Sequence, residues 1–292
     1  MARKTESGLV VPDEMGLSYT PQTMPTSAFS HAFPKEPHTN PETGRTTQRN
    51  SMTPDWDALM RSPEVRRGAE NLVGLYSTAV KNPEMLQQGR EYYSKENRRL
   101  THIGEQFNEV RAKRGLQTYS EDDPAVAGLL LAGAFSQNNT EANRERLIDK
   151  TITTGDVAAH LGTETINNAI KTGTHAMDVF ANMGQNQGLK LYDYSGSIYH
   201  PGAWRGDWRG VNRGPGYTID RHQHDAVMGQ PMGDFQRPLS SSGTNARRYR
   251  SFQAAHLLAH HGPGGAEELY GHGDSPDTFQ AITWGPWRGG YT

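Results

Sequence analysis

Three consecutive residues in the last third of the chain, Asp220, Arg221 and His222, have side chains suited to chemistry. A helical pattern follows them as far as Met228. An aspartate ahead of a basic residue and a histidine suits an acid placed at a helix start. The alternative is that Asp220 only caps the helix, since aspartate is a preferred N-cap residue that contributes ~0.5–2 kcal/mol. Asp220 is therefore the first candidate for a catalytic group.

Two segments upstream carry further candidates. Gln137 and Asn138 follow the most apolar run of the chain, at the end of a predicted central helix. Lys190 stands two residues after Gly188 in the sequence Asn-Gln-Gly-Leu-Lys. A polar cluster that breaks a helix, and a solvated surface lysine, are the alternatives for these two segments.

In chain order, these three segments resemble the motifs of the helix-hairpin-helix DNA glycosylases. In that family a helix ends in Ser-x-Gln-x-Thr-Asp, a Gly-x-Gly-x-Lys hairpin follows, and Val-Asp-Thr-His comes last. The present chain reads Ser-Gln-Asn-Asn-Thr-Glu at 136–141, Asn-Gln-Gly-Leu-Lys at 186–190 and Ile-Asp-Arg-His at 219–222. It departs from the family by an asparagine for the first hairpin glycine, by an arginine for the threonine, and by a longer lysine-to-aspartate spacing.

The resemblance implies a role for each candidate. Asp220 would face the sugar of an extruded nucleotide, where it would stabilise the cationic transition state or activate the nucleophile. Lys190 would attack the sugar C1′ to form a Schiff base, which requires a neutral amine. Gln137 would fill the gap left by the flipped nucleotide. The predicted DNA contacts of these motifs are Gln137, Asn138, Gly188, Arg221 and His222.

A glycine-rich insert at about 196–217 repeats the unit Trp-Arg-Gly. Aromatic faces stack on bases and arginines bind phosphates, so the insert is predicted to touch single-stranded or extruded nucleotides. The alternative is a lid whose tryptophans pack on the domain. The candidate DNA-binding residues are Trp204, Arg205, Trp208, Arg209 and Arg213.

The pattern predicts an all-α fold, and the resemblance implies a two-lobed, helix-hairpin-helix glycosylase-like domain. Residues 1–52 are rich in Pro, Ser and Thr and show no sustained period, so we expect an extended arm there. The helical domain would occupy residues 53–292, beginning with a cap at Thr53. Residues 122–150 are expected to form its central buried helix, and residues 184–217 its least regular region.

Composition limits the possible cofactors. The chain has no cysteine, which excludes disulfides, thiolate zinc sites and a cysteine-ligated iron–sulfur cluster. His256 and His260 have the i, i+4 spacing of zinc ligands, but no third ligand is evident in the sequence. We therefore expect no cofactor and no metal. The absence of a long apolar run predicts a soluble, intracellular protein without a membrane partner.

A formal net charge of −2 provides no global attraction to nucleic acid, so any DNA contact must come from local basic patches. Residues 89–93, 218–222 and 279–288 resemble a group of bacteriophage proteins that are similar to distant glycosylase relatives. This second resemblance implies a phage protein acting in the host cytoplasm. The alternative is an inactive DNA-binding or structural protein of the virion, whose arm lies along neighbouring phage subunits.

Overall fold

The structure is a computed structural model that describes residues 22–24, 35–50, 55–116, 118, 149, 152–153, 189–206, 214–232 and 244–290. The predicted central helix at 122–150 lies outside these residues, apart from position 149. So do six predicted DNA contacts, which are Gln137, Asn138, Gly188, Trp208, Arg209 and Arg213.

The described residues are mostly helical, which confirms the all-α prediction. The helices are α1 (Trp56–Arg61), α2 (Pro63–Val80), α3 (Pro83–Lys113), α4 (Leu189–Tyr199), α5 (Arg221–Met228), α6 (Thr244–His261), α7 (Ala266–Tyr270) and α8 (Pro276–Arg288). No helix in these ranges is long and apolar enough to cross a membrane.

Short polar side chains fix several helix starts. Asp55 caps α1 through a hydrogen bond from Ala58 N, so this helix begins later than a cap at Thr53 would place it. Ser62 caps α2, and Ser275 caps α8. Proline follows each of these serines at the first helical position, where its missing N–H costs nothing.

The N-terminal arm contains a β-hairpin, which the sequence did not predict. Strand β1 (Lys35–Thr39) pairs antiparallel with β2 (Thr46–Asn50), and Lys35 lies opposite Asn50. The turn depends on Asn40, whose side-chain oxygen accepts hydrogen bonds from Glu42 N and Thr43 N. Turn chemistry therefore sets the hairpin, and neither strand shows the apolar alternation that signals a strand buried on one face.

The chain divides into two compact units, one formed by Met1–Arg90 with Tyr217–Thr292 and the other by Glu91–Gly216. The boundary between these units falls inside α3. In the first unit α2 packs against α5, α6 and α8. Its fully buried large side chains include Tyr76, Tyr217, Tyr249, Phe252, Phe279 and Trp287.

In the second unit α4 occupies part of the region predicted to be least regular. Its residue Ile198 is fully buried, and Asn97 Nδ2 on α3 donates a 2.9 Å hydrogen bond to the Ile198 carbonyl. Trp204 is also buried in this unit, against Gly196 of α4. A hydrogen bond to the long α3 thus accompanies helix formation in a segment of weak local pattern.

Candidate active site at the start of α5

Asp220 is the N-cap of α5, as its position in the sequence predicted. Its Oδ1 accepts hydrogen bonds from His222 N at 2.9 Å and from Gln223 N at 2.8 Å. Among the described residues, Oδ2 accepts no hydrogen bond, and the side chain is partly exposed. One carboxylate oxygen is therefore fixed by the helix, and the other is available to a ligand.

The backbone that leads into Asp220 is held by α6. Tyr249 Oη accepts a 3.2 Å hydrogen bond from Ile219 N and donates one of 3.3 Å to the Tyr217 carbonyl. Gln253 Nε2 donates to the same carbonyl at 3.1 Å. Because Tyr217 and Ile219 are completely buried, the position of Asp220 is fixed by packing as well as by these bonds.

His222 lies beside Asp220 and is buried against α8. Its ring meets the Trp284 ring edge-on, with 5.9 Å between centroids, and its Nε2 accepts a 3.3 Å hydrogen bond from Arg221 Nε. Burial lowers the pKa of His222; the Asp220 carboxylate opposes this shift, whereas Arg288 and Arg221 add to it. The imidazole is therefore neutral at neutral pH, with its proton on Nδ1.

Trp284 and Arg288, one turn apart on α8, complete this surface. The Arg288 guanidinium carbon lies 4.3 Å from the centroid of the Trp284 ring, within cation–π distance. Both side chains are partly exposed, and Arg221 is exposed. The site thus combines a carboxylate, a neutral imidazole, an indole and two guanidinium groups.

A buried polar network beneath the site joins α5 to α6 and α8. Gln223 Nε2 donates to the Gln280 carbonyl at 2.7 Å, and Gln223 Oε1 lies 2.7 Å from His256 Nε2. His256 Nδ1 lies 2.9 Å from the Phe252 carbonyl. Both ring nitrogens thus face oxygen acceptors. Burial lowers the pKa of His256 to about 4, so the ring is neutral at neutral pH. A neutral ring carries one proton and can satisfy only one acceptor; we assign it to Nε2, which makes the shorter contact.

The histidines with zinc-like spacing are engaged in packing. His256 belongs to the network beneath α5, and His260 Nδ1 lies 2.9 Å from the Tyr217 hydroxyl. The His260 ring also stacks on Phe279, with centroids 4.6 Å apart. Within the described ranges, no group of three or more His, Cys, Asp or Glu side chains could hold a metal ion.

The other predicted site residues in the described ranges lie in the second unit. Lys190 is the second residue of α4 and is partly exposed. Arg205 is exposed, and its guanidinium donates to the Trp204 carbonyl. Gln137 and Gly188 lie outside the described residues, and Lys190 belongs to the second unit, whereas Asp220 belongs to the first.

The structure contradicts the predicted DNA contact of Trp204. It was predicted to stack on a base, but it is 2% exposed and lies parallel to His200 at 6.4 Å between centroids. Gly196 leaves the space for its indole, since a Cβ there would collide with the ring. The alternative of a tryptophan packed on the domain describes Trp204, because its indole is buried. The predicted insert also begins later than residue 196, since α4 continues to Tyr199.

The sequence reasoning missed the contributions of α6 and α8. It used residues 279–288 only for a resemblance and did not place Trp284 and Arg288 near Asp220. The i, i+4 spacing of Trp284 and Arg288 is a local signal of a shared helix face. No comparable signal marks Gln223 or Gln280.

Comparisons with protein-family models, with curated proteins and with solved structures found no significant match to this chain. The arguments for its function are therefore the geometry of this site and the motif resemblance.

Proposed function

We propose that the protein is a phage-encoded, DNA glycosylase-like enzyme that acts on the base–sugar bond of DNA or of a nucleotide. The observation that carries the proposal is the state of the Asp220 carboxylate. One of its oxygens is anchored by two backbone N–H groups, while the other accepts no hydrogen bond from the described residues. A partly exposed carboxylate held in this way suits the stabilisation of positive charge on a sugar.

The chemistry assigned to Asp220 follows from charge. Cleavage of an N-glycosidic bond develops positive charge on the sugar as the base departs, and a fixed carboxylate stabilises that charge without reorganising. Alternatively, the same group accepts a proton from an attacking water. Both roles require Oδ2, the oxygen that does not accept the two backbone hydrogen bonds.

The neighbouring groups suit a nucleic-acid ligand. Arg221 is exposed and Arg288 partly exposed, so their guanidinium groups are placed to bind phosphate oxygens. Trp284 offers an indole at the same surface, and indoles stack on bases. His222 is neutral because its pKa is lowered by burial, so it adds no charge that would compete with the sugar cation.

The experiment that tests this function is base release from DNA oligonucleotides carrying a panel of modified bases, with abasic sites detected by alkaline strand cleavage. An active enzyme releases at least one base with multiple turnovers. If the protein binds single- or double-stranded DNA but releases no base from either, the result would instead support a non-catalytic protein.

The second candidate is a catalytically inactive phage structural or DNA-binding protein. The exposed β1–β2 hairpin favours it, because residues 41–48 are solvent-exposed and an isolated two-stranded hairpin is marginally stable in water. A neighbouring subunit would supply the missing packing. In that case the hairpin residues become protected from hydrogen exchange in the assembled particle, while no base is released.

A further inference from the structure

A short piece of the N-terminal arm, residues 22–24, is seated on the first unit by its backbone. Asn71 on α2 receives a 2.8 Å hydrogen bond from Gln22 N at its Oδ1 and donates one of 2.9 Å from Nδ2 to the Gln22 carbonyl. Met24 N donates to the Met228 carbonyl at 3.0 Å, and Gln230 Nε2 donates to the Met24 carbonyl at 2.8 Å. Both ends of the tripeptide are thus recognised through main-chain groups.

Only one side chain of the tripeptide is buried. Met24 is 2% exposed, whereas Gln22 and Thr23 are exposed. The Met24 methyl carbon lies 3.5 Å from the position that a Cβ on Gly68 would occupy. The recognition therefore combines backbone hydrogen bonds with a single apolar anchor, as in other sites that bind extended peptides, and Gln22 Nε2 adds an exposed 3.2 Å hydrogen bond to Glu70.

Two glycines, Gly68 and Gly229, leave the space in which residues 22–24 bind. A Cβ on Gly68 would lie 2.6 Å from Val227 Cγ1, so α2 approaches α5 closely where Met24 enters. Gly229 ends α5 in the left-handed conformation, with φ of 68°, and a Cβ there would collide with the Gln22 carbonyl. Larger residues at either position would narrow the site.

The residues that flank the tripeptide also favour its binding as an extended segment. Pro21 and Pro25 flank the tripeptide, and proline restricts both itself and the preceding residue to extended conformations. This restriction reduces the conformational entropy lost on docking. The described contacts are all made by atoms of residues 22–24, so the same tripeptide from another molecule would present the same atoms.

We propose that the surface formed by Gly68, Asn71, Met228, Gly229 and Gln230 is a peptide-docking site that also accepts residues 22–24 of a second copy of this chain. In the isolated molecule its own segment occupies the site, because a linked segment has an effective concentration in the millimolar range. Exchange between copies joins molecules through their arms. The exposed hairpin that follows the segment along the chain is then carried by the arm to the second copy.

The first test uses a fluorescent peptide of residues 18–28 and the full-length chain. The peptide binds the Met24→Ala chain, whose own segment has lost its anchor, and binds the wild-type chain more than about tenfold more weakly because its site is occupied. A peptide with alanine for Met24 also binds the Met24→Ala chain more than about tenfold more weakly, since methionine burial is worth more than a tenfold change. Equal binding of the two peptides, or no binding of the first, overturns the proposal.

The second test asks whether a second copy is the occupant. The Gly229→Asn chain keeps its arm but has an obstructed site, and asparagine tolerates the left-handed backbone at this position. Mixed with the Met24→Ala chain, it gives a two-chain complex by analytical ultracentrifugation that neither variant gives alone. Absence of that complex above the peptide dissociation constant overturns exchange. The comparison of the two peptides uses one and the same Met24→Ala chain, so it does not depend on Gly229→Asn and stays decisive if that variant fails to fold.

Discussion

At the scale of single residues, Asp220 is both a helix cap and the candidate catalytic group. The two roles use different oxygens, because Oδ1 receives both backbone N–H groups. His222 contributes its backbone N–H to the cap and its neutral ring to the wall of the site. A substitution that keeps the cap and removes the charge can therefore separate structure from catalysis.

Lys190 provides a second residue-scale prediction. If it is the nucleophile that the glycosylase resemblance implies, borohydride reduction during turnover traps a covalent protein–DNA adduct. Lys190→Ala abolishes the adduct and leaves the chain folded, because the side chain is partly exposed. Lys113→Ala, at an exposed lysine on α3, serves as the control and leaves trapping unchanged. An active wild-type preparation that yields no adduct would make the enzyme monofunctional.

At the scale of elements, local signals predicted helix starts better than they predicted the site. Asp220 was predicted as the cap of α5 from its immediate neighbours. Asn82 before Pro83 and Ser275 before Pro276 are cap signals of the same local kind. The hairpin and α4 lacked such signals. The turn of the hairpin depends on the side chain of Asn40, and α4 receives a hydrogen bond from α3, about a hundred residues away along the chain.

The site itself shows the same limit. Asp220 was predictable because capping is local, whereas Trp284 and Arg288 come from a helix more than sixty residues further along the chain. The Gln223–His256 contact spans 33 residues, and only tertiary packing brings these side chains together. The prediction that Trp204 stacks on a base was wrong, because composition cannot distinguish an exposed aromatic ring from a buried one.

The buried histidines of α6 predict a stability loss in acid. Burial lowers the pKa of His256 and of His260 to about 4, so each unfolded histidine binds a proton at a higher pH than the folded one. The stabilising effect of a neutral ring is complete above pH ~6.5 and falls as the pH drops toward 4. Between pH 7.5 and 5 the free energy of unfolding decreases by on the order of 2 kcal/mol per histidine.

Urea unfolding at the two pH values measures this loss. In His256→Gln or His260→Phe the difference between pH 7.5 and 5 shrinks by about that amount, whatever the change in absolute stability. His102→Gln, at an exposed side chain of α3, is the matched control. If both α6 variants lose as much free energy of unfolding between pH 7.5 and 5 as the wild type does, these rings do not resist protonation.

At the scale of the whole molecule, the formal charge determines how the chain could attract DNA. The net charge of −2 gives no overall attraction to DNA, so binding must depend on a few cations. Arg221 and Arg288 stand at the proposed site, and Arg205 is exposed in the other unit. Salt dependence distinguishes which of these groups meets phosphate.

Replacement of Arg221 and Arg288 together by glutamine is expected to weaken single-strand binding and flatten its salt dependence. The slope of log K against log salt decreases by ~0.7 for each lost phosphate contact. Arg205→Gln tests the insert, and Arg45→Gln, on the exposed hairpin turn, is the control. If only Arg205→Gln changes the slope, DNA binds at the insert and the assignment of phosphates to the Asp220 site is wrong.

The central claim is tested most directly by the rate of base release in Asp220→Asn compared with Asp55→Asn. Both substitutions neutralise an N-cap aspartate and keep a residue that caps helices, so each changes the free energy of unfolding by no more than about 1–2 kcal/mol. Asp220→Asn is expected to abolish release, and Asp55→Asn to leave the wild-type rate. Release by Asp220→Asn at the wild-type rate would contradict a catalytic role for this carboxylate and leave Asp220 as a cap alone.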